Sequence, residues 1–567
     1  MQIRKAVGRL LTIGLLISTA AISGFAQQVA SAQSPSTGTT GAGDEVTTLK
    51  QQLAAQQKQI EALQAAFNAM KQKLDQTGSS SQSGSGQAGS VGEVASTTPV
   101  VPKGVGKSDL AGDTLAVAGP VGIPAASPLP KDADEASPLQ LRVGSAYVTP
   151  VGFMDFTSVW RSHDGGSTIG TNFGGIPYGN VFQNNLSEFR LSMQNSRVGF
   201  RVDANVHDAH VIGYMESDFL GNNPGNVEVS SNSNTMRSRL YWVDVRKNNW
   251  EILGGQTWSL LTPGRSGISP LPGDIFFTQD MDVNYQAGLF WGRIPELRFV
   301  YHPSTKAALA FAIESPEQYV GGSAGGGLVT FPKALASTYA GELNVGSNTF
   351  GVPNVAPDFI AKLALDPSSR IHLEAGGIER NFKVWNPTTS TTYSAAGGGG
   401  FANANVELFK GFRLLTNNFI SDGGGRYIFG QAPDLIAHAD GSISLIHADS
   451  TVTGFEATQK NTLVFGYYGG IYIGRNVAID ATGTPVGYGF KGSGSGQNRA
   501  IQEGTFGLNQ TIWKDAKWGA LNFIGQYSYL TRNPWSVASS QPSNASLNML
   551  FFDLRYTLPG SAPTLGK

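Results

Sequence analysis

The chain has 567 residues, with 72 Gly, 28 Pro, no Cys and only 14% charged residues. Average soluble domains carry about 7% Gly and about 25% charge, so glycine is nearly doubled and charge nearly halved, while apolar residues stay at 40% and net charge at −1. This excludes a disulfide framework and a thiolate metal site, leaves no bulk basic field for nucleic acid, argues against a cytosolic enzyme, and, with no run of about 20 apolar residues beyond the N-terminus, excludes a helical membrane protein.

Residues 1–32 have the layout of a secretory signal peptide. Arg4, Lys5 and Arg9 form a basic segment, Leu10 to Ile22 an apolar one too short to span, and Ala30-Ser31-Ala32 a small-residue cleavage site, with Gly24-Phe25-Ala26 as a competing cut. Export to a bacterial envelope follows. Residues 44–77 then turn helical. Val46, Leu49, Leu53, Gln56, Ile60, Leu63, Phe67, Met70 and Leu74 recur at alternating spacings of three and four, a strict heptad seam. So narrow a stripe needs copies of itself for burial, and the rod would be roughly 43 Å long. The seam is expected to assist assembly rather than carry it, since few heptads bury little surface beside a barrel wall. Residues 78–138 are rich in Gly, Ser, Pro and Ala without periodicity, the composition of a flexible linker.

Residues 139–567 read as an all-β transmembrane barrel of about 16 antiparallel strands. Segments of alternating character are joined by links that alternate in length. Tight turns fall at His207-Asp208, Lys247-Asn249, Pro303-Thr305, Pro367-Ser369, Lys410-Gly411, Lys460-Asn461 and Lys514-Lys517. Long loops fall near 161–185, 220–235, 262–282, 315–357, 383–396, 421–450, 474–497 and 531–545. This asymmetry is the topology of outer-membrane barrels, with both termini on the tight-turn, periplasmic side. A soluble sandwich would need a central apolar core, whereas here the second face is polar, as in Asn403, Asn405 and Glu407 or Asn522, Gln526 and Ser528.

The alternation assigns faces. Phe189, Leu191 and Met193 share one parity and Val198, Phe200 and Val202 the other, so a bulge near Asn195-Ser196 is required to keep both on lipid. Arg190, Arg197 and Arg201 then face the lumen. On the next strand Tyr214, Glu216 and Asp218 alternate together. Met236, Leu240 and Trp242 are expected on one face, with Arg237, Arg239 and Tyr241 on the other. Over 283–302, Leu297, Phe299 and Tyr301 face out and Arg298 in. An arginine on the lipid face at mid-depth costs about 2–4 kcal/mol, which decides these assignments.

Taken with its local wording, the arrangement resembles the DcaP-like trimeric porins of Gram-negative bacteria. The wording is TPVGFMDFTSVWR opening the barrel, then SMQNSRVGFRV, GYMESDFLG, RSRLYWVDV and GGQTWSLLTP. The likeness is clearest over 44–315 and generic beyond. It implies a homotrimer in the outer membrane, among lipid and lipopolysaccharide, with a periplasmic N-terminal coil, and diffusion of small, often anionic, organic solutes. The chain departs from outer-membrane habit at its end, where LNMLFFDLRYTL is followed by PGSAPTLGK rather than stopping on an aromatic.

The third long loop is the candidate constriction. It combines an apolar knot of Leu271, Ile275, Phe276 and Phe277 with Arg265, Asp274, Asp280 and Asp282. Facing it, Arg190, Arg197, Arg201, Arg237, Arg239 and Arg298 could form a basic wall that selects carboxylates. Alternatively Glu216 and Asp218 neutralise that ladder as structural pairs. The aspartates of the loop lack the glutamate of a regular calcium loop. No metal, cofactor or catalytic constellation is indicated. The expected function is a porin for passive diffusion of small hydrophilic solutes, with some preference for organic anions. The alternative is an envelope tether or adhesin, the barrel serving as anchor and the coil contacting peptidoglycan.

Overall fold

The computed structural model describes residues 139–167, 169–222, 235–270, 275–280, 285–322, 327–346, 352–353, 355–515 and 518–559. The signal peptide (1–32), coil (44–77) and linker (78–138) of the sequence reading all lie outside the described residues.

Sixteen antiparallel strands close into a barrel. They are β1 (Ala146–Arg161), β2 (Glu188–Ser192 continuing as Arg197–Val206), β3 (Ala209–Asp218), β4 (Arg237–Lys247), β5 (Trp250–Trp258), β6 (Arg293–Ser304), β7 (Ala307–Glu314) and β8 (Asp358–Ser368). The second half is β9 (Ile371–Asn386), β10 (Thr391–Phe409), β11 (Phe412–Asp422), β12 (His447–Gln459), β13 (Thr462–Ile473), β14 (Asn498–Asp515), β15 (Gly519–Pro534) and β16 (Ala545–Thr557). Each strand pairs with its sequence neighbours, and β16 returns to β1 with Phe153 opposite Thr557. Closure leaves no open edge. The tight turns owe their shape to left-handed residues: His207, Asn248, Lys460 and Gly411 take φ of 55°, 53°, 53° and 81°.

The outer wall is apolar because alternate residues of each strand face away from the lumen. Phe156, Phe189, Tyr241, Phe311, Phe506 and Phe552 are exposed there. In β2 the ladder breaks between Ser192 and Arg197, and the parity of the outward residues switches across the gap. Ser196 fills the break, its hydroxyl accepting the Asp155 backbone N–H at 2.9 Å.

Three sequence expectations are corrected. First, Leu240 and Trp242 point inward (0% and 2% exposed) and Tyr241 outward (64%), opposite to the simple alternation. Between β3 and β4 the register jumps from Glu216↔Leu240 to Ser217↔Ser238, so Arg239 is an extra, bulged residue. One inserted residue flips every side chain beyond it. Second, 383–396 is no long loop: β9 and β10 stay paired up to Asn386↔Thr391 around a short turn. Pro387 and the Thr- and Ser-rich run after it read as a loop in sequence, whereas they hold only a short turn. Third, the strand placed over 283–302 begins only at Arg293, and residues 285–292 pack inside the barrel, Ala287 on Glu503 and Trp291 on Phe429.

Candidate functional site

The lumen is shaped by the segment between β5 and β6, whose described residues 259–270, 275–280 and 285–292 leave the wall and contact strands across the interior. Its N-terminal arm is tied to β8 and β9. Lys362 Nζ donates to the Thr262 carbonyl (2.8 Å), Gly264 N–H to Glu374 Oε2 (3.1 Å) and Gly267 N–H to Asp366 Oδ2 (2.8 Å). Lys362 and His372 in turn hold Glu374 and Asp366 at 2.8 and 2.9 Å. Backbone amides are satisfied here by wall carboxylates, which is how a loop can be buried without a ladder of its own.

The middle of the segment is pinned to the far wall. Arg265 forms two bonds to Glu456 on β12 (2.6 and 2.8 Å) and a third to the Ile275 carbonyl (2.7 Å). Its guanidinium lies 5.3 Å over the Phe277 ring. Phe276 meets Tyr467 edge-on at 5.1 Å, and Phe277 packs on Phe465 at 6.1 Å. Further on, Gln526 of β15 donates to Asp280 Oδ1 (2.7 Å) and accepts the Gln279 N–H (2.8 Å). Ala287 N–H donates to Glu503 of β14 (2.7 Å). One loop therefore touches strands on opposite sides of the barrel.

Other long loops also turn inward. Trp258, Tyr285, Trp291 and Phe429 form an aromatic cluster with centroids 4.6 to 6.0 Å apart. It locks the crossing segment to the loop between β11 and β12. In that second loop Asp434 accepts backbone N–H groups from Tyr319 and Arg426 (3.0 and 2.9 Å) and pairs with Arg380 (2.9 Å); burial pushes its carboxyl above the usual range. Phe173, Ile176, Leu261, Tyr339, Tyr427 and Tyr488 extend a buried apolar core through the long-loop end. The largely polar inner faces of the strands do not by themselves supply an apolar core. The loops supply one, because their aromatic residues carry no strand period and could not be assigned to the interior from pattern.

The arginines singled out from sequence lie on the inner wall, each paired. Arg190 meets Glu188 at 2.7 Å, Arg201 meets Asp203 at 2.7 Å, and Arg298 meets Glu296 at 2.6 Å. Arg237 binds Asp218 (2.6 Å), while Arg239 bridges Glu216 (2.8 Å) and Asp218 (2.6 Å), with Arg197 3.8 Å from Glu216. Arg201 and Arg239 have no exposed side-chain surface, whereas Arg190 and Arg237 keep 33%. The arginines thus fall into a buried, neutralised set and two that still meet water. Of the loop residues, Arg265 and Asp280 are placed as described; Leu271, Asp274 and Asp282 lie outside the described residues. Sequence reasoning missed Asp366, Glu374, Glu456, Glu503 and Gln526, the polar side chains that hold the crossing segment. The available signal was an inward carboxylate flanked by apolar outward residues, as Glu374 between Leu373 and Ala375.

No protein-family model matches this chain, and no curated protein sequence does. Among solved structures, the outer membrane channel DcaP of Acinetobacter baumannii is similar, with TM-score 0.52 and 16% identity over 74% of this chain and 99% of that one. An anion-selective porin from Comamonas acidovorans aligns with TM-score 0.40 and 12% identity, over 73% of this chain and 100% of that one. The first likeness shows a shared barrel fold.

Proposed function

We propose that this chain is an outer-membrane porin, a water-filled channel for passive diffusion of small hydrophilic solutes, whose aperture is set by residues 259–292. The observation that carries the reading is the crossing segment itself. A barrel used only as an anchor has no need to hold a loop across its lumen with paired charges on several strands, whereas a size filter does. The barrel shared with an outer membrane channel supports the same reading. The assembly it fits is the homotrimer that the family resemblance implies, with the heptad seam calling for copies of the chain. In planar bilayers, purified protein should give steady, ohmic single-channel steps. Protein inserted as folded barrels but electrically silent would overturn the proposal in favour of a tether.

A weak preference for small organic anions belongs to the same reading. In the Arg190–Glu188 and Arg237–Asp218 pairs the guanidinium is the partner left open to water, with 33% exposure against 11% and 0% for the carboxylates. A solute passing them meets positive charge first, within a screening length of about 8 Å at physiological salt. Arg237→Gln should keep the barrel folded and move the reversal potential in a salt gradient toward cations, most at low salt. An unchanged reversal potential would leave a pore selective by size alone.

A further inference from the structure

We infer that the tight-turn rim of the barrel docks the anionic phospholipids of the periplasmic leaflet through a row of four cations, Lys306, Arg370, Lys410 and Lys460. The inference rests on reading the barrel as an outer-membrane channel with its tight turns toward the periplasm. Four consecutive turns, joining β6 to β7, β8 to β9, β10 to β11 and β12 to β13, hold two residues each: Thr305-Lys306, Ser369-Arg370, Lys410-Gly411 and Lys460-Asn461. The cation of every pair is exposed. Turn geometry does not call for it, since Lys460 holds φ at 53°, a left-handed conformation that Asn or Gly adopts more cheaply. Whereas the inner-wall arginines all have carboxylate partners, none of these four cations is in an ion pair among the described residues. The acids of the rim are engaged elsewhere. Asp208 holds Lys247 at 2.9 Å, Glu407 accepts the Gly411 N–H at 2.8 Å and Asp515 accepts the Trp518 N–H at 3.1 Å. With neighbouring strands about 4.8 Å apart, cations on successive turns stand about 10 Å apart, close to the screening length at physiological salt. Their fields therefore merge into one positive strip.

Beside this strip the outer face turns aromatic. Phe409, 61% exposed, stacks on Phe412 at 5.0 Å, and Phe412 on Phe455 at 6.1 Å. Trp250 meets Tyr301 at 4.7 Å at one end of the row, and Trp513 meets Tyr556 at 6.2 Å at the other. Aromatic side chains of this kind collect where acyl chains give way to head groups. The cations, one residue or a few beyond them, fall at the depth of the phosphates, and their long stems reach along the aromatic surface. The rim thus fits an amphiphile, with acyl chains against Phe409 and Phe412 and a phosphodiester against the row. A zwitterionic head group brings its own cation and gains little there. Phosphatidylglycerol and cardiolipin carry phosphates with no internal counter-charge, the chemistry that basic residues beside a membrane attract. A soluble polyanion would meet the strip but leave the aromatic belt unused.

Trp250 and Trp513, at the two ends of the row, serve as intrinsic reporters. Full-length protein reconstituted in mixed vesicles should be quenched by brominated phosphatidylglycerol with about fivefold higher affinity than by brominated phosphatidylcholine, a ratio that falls in molar salt. The quadruple variant Lys306→Gln, Arg370→Gln, Lys410→Gln, Lys460→Gln should bring the ratio to about one, with single-channel steps and the heat-modifiable gel shift unchanged. Should that variant fail to fold, Lys410→Glu with Lys460→Glu should lower the ratio in its place. Arg475→Gln with Arg499→Gln is the control at the long-loop end, where both arginines lie 5.8 Å from the Trp535 ring; it should keep the wild-type ratio. A wild-type ratio near one, a ratio that survives loss of the row, or an equal fall in the control would overturn the lipid site. Conducting barrels with no lipid preference would leave the channel reading intact. Silent barrels that keep the preference would overturn the channel reading and leave the lipid site standing.

Discussion

Replacing Arg265 by alanine should open the pore, giving larger and noisier single-channel steps. Arg265 makes three bonds that tie the turn of the crossing segment to β12 and to its own Ile275 carbonyl, and its side chain is only 13% exposed. Removing one partner of a buried ion pair costs about 3–5 kcal/mol, because the remaining charge is left without its counter-ion. Glu456 would keep the Tyr467 hydroxyl at 2.9 Å but lose its bonded cation, leaving only the field of Arg413. Its cheapest relief is to admit water between the loop and the wall, which moves Phe276 and Phe277 off Tyr467 and Phe465. The double variant Arg265→Met with Glu456→Leu should return quiet, wild-type-sized steps, since apolar residues of similar volume replace a buried pair with little loss. Unchanged conductance in Arg265→Ala would mean that the bonds from Asp366 and Glu374 hold the segment unaided.

Arg239→Gln should destabilise the barrel by about 3–5 kcal/mol, read as a lower urea midpoint and a lower temperature for the heat-modifiable gel shift. Arg239 is the bulged residue of β4, fully buried between Glu216 and Asp218. Without it the two carboxylates retain Arg237 on Asp218 and Arg197 at 3.8 Å from Glu216, too little positive charge at too great a distance. Arg239→Lys should recover only part of the loss, because an ammonium cannot present two divergent donors in one plane. Arg237→Gln, on a side chain one-third open to water, should leave the midpoint nearly unchanged. The two neighbouring arginines thus separate stability from selectivity. Equal losses of stability in both variants would remove that distinction.

The barrel was legible in the sequence because its wall obeys a period of two and its turns alternate in length. Both signals are local, so strand number, the bulge at Asn195-Ser196 and the inward aspect of Arg197, Arg201 and Arg298 could be read without a structure. The bulge at Arg239 could not, since an inserted residue is visible only in the register between two strands. Local pattern also failed over 383–396, where Pro387 and the run of Thr and Ser residues read as turn signals and hid the short turn between two paired strands.

The site was legible in part. Arg265 and Asp280 were found because charge beside an apolar knot stands out in a loop, yet the partners that give them meaning are 191 and 246 residues away in sequence. Sequence by itself determined the class of fold, the inner and outer faces of most strands and the loop that enters the lumen, because each is written in spacing along one strand or one turn. Only the tertiary structure decided which charges are neutralised, which two arginines remain open to water, and how the loop is held. Those properties depend on groups that meet across the closed barrel, where burial and pairing, not residue type, set what a charge can do.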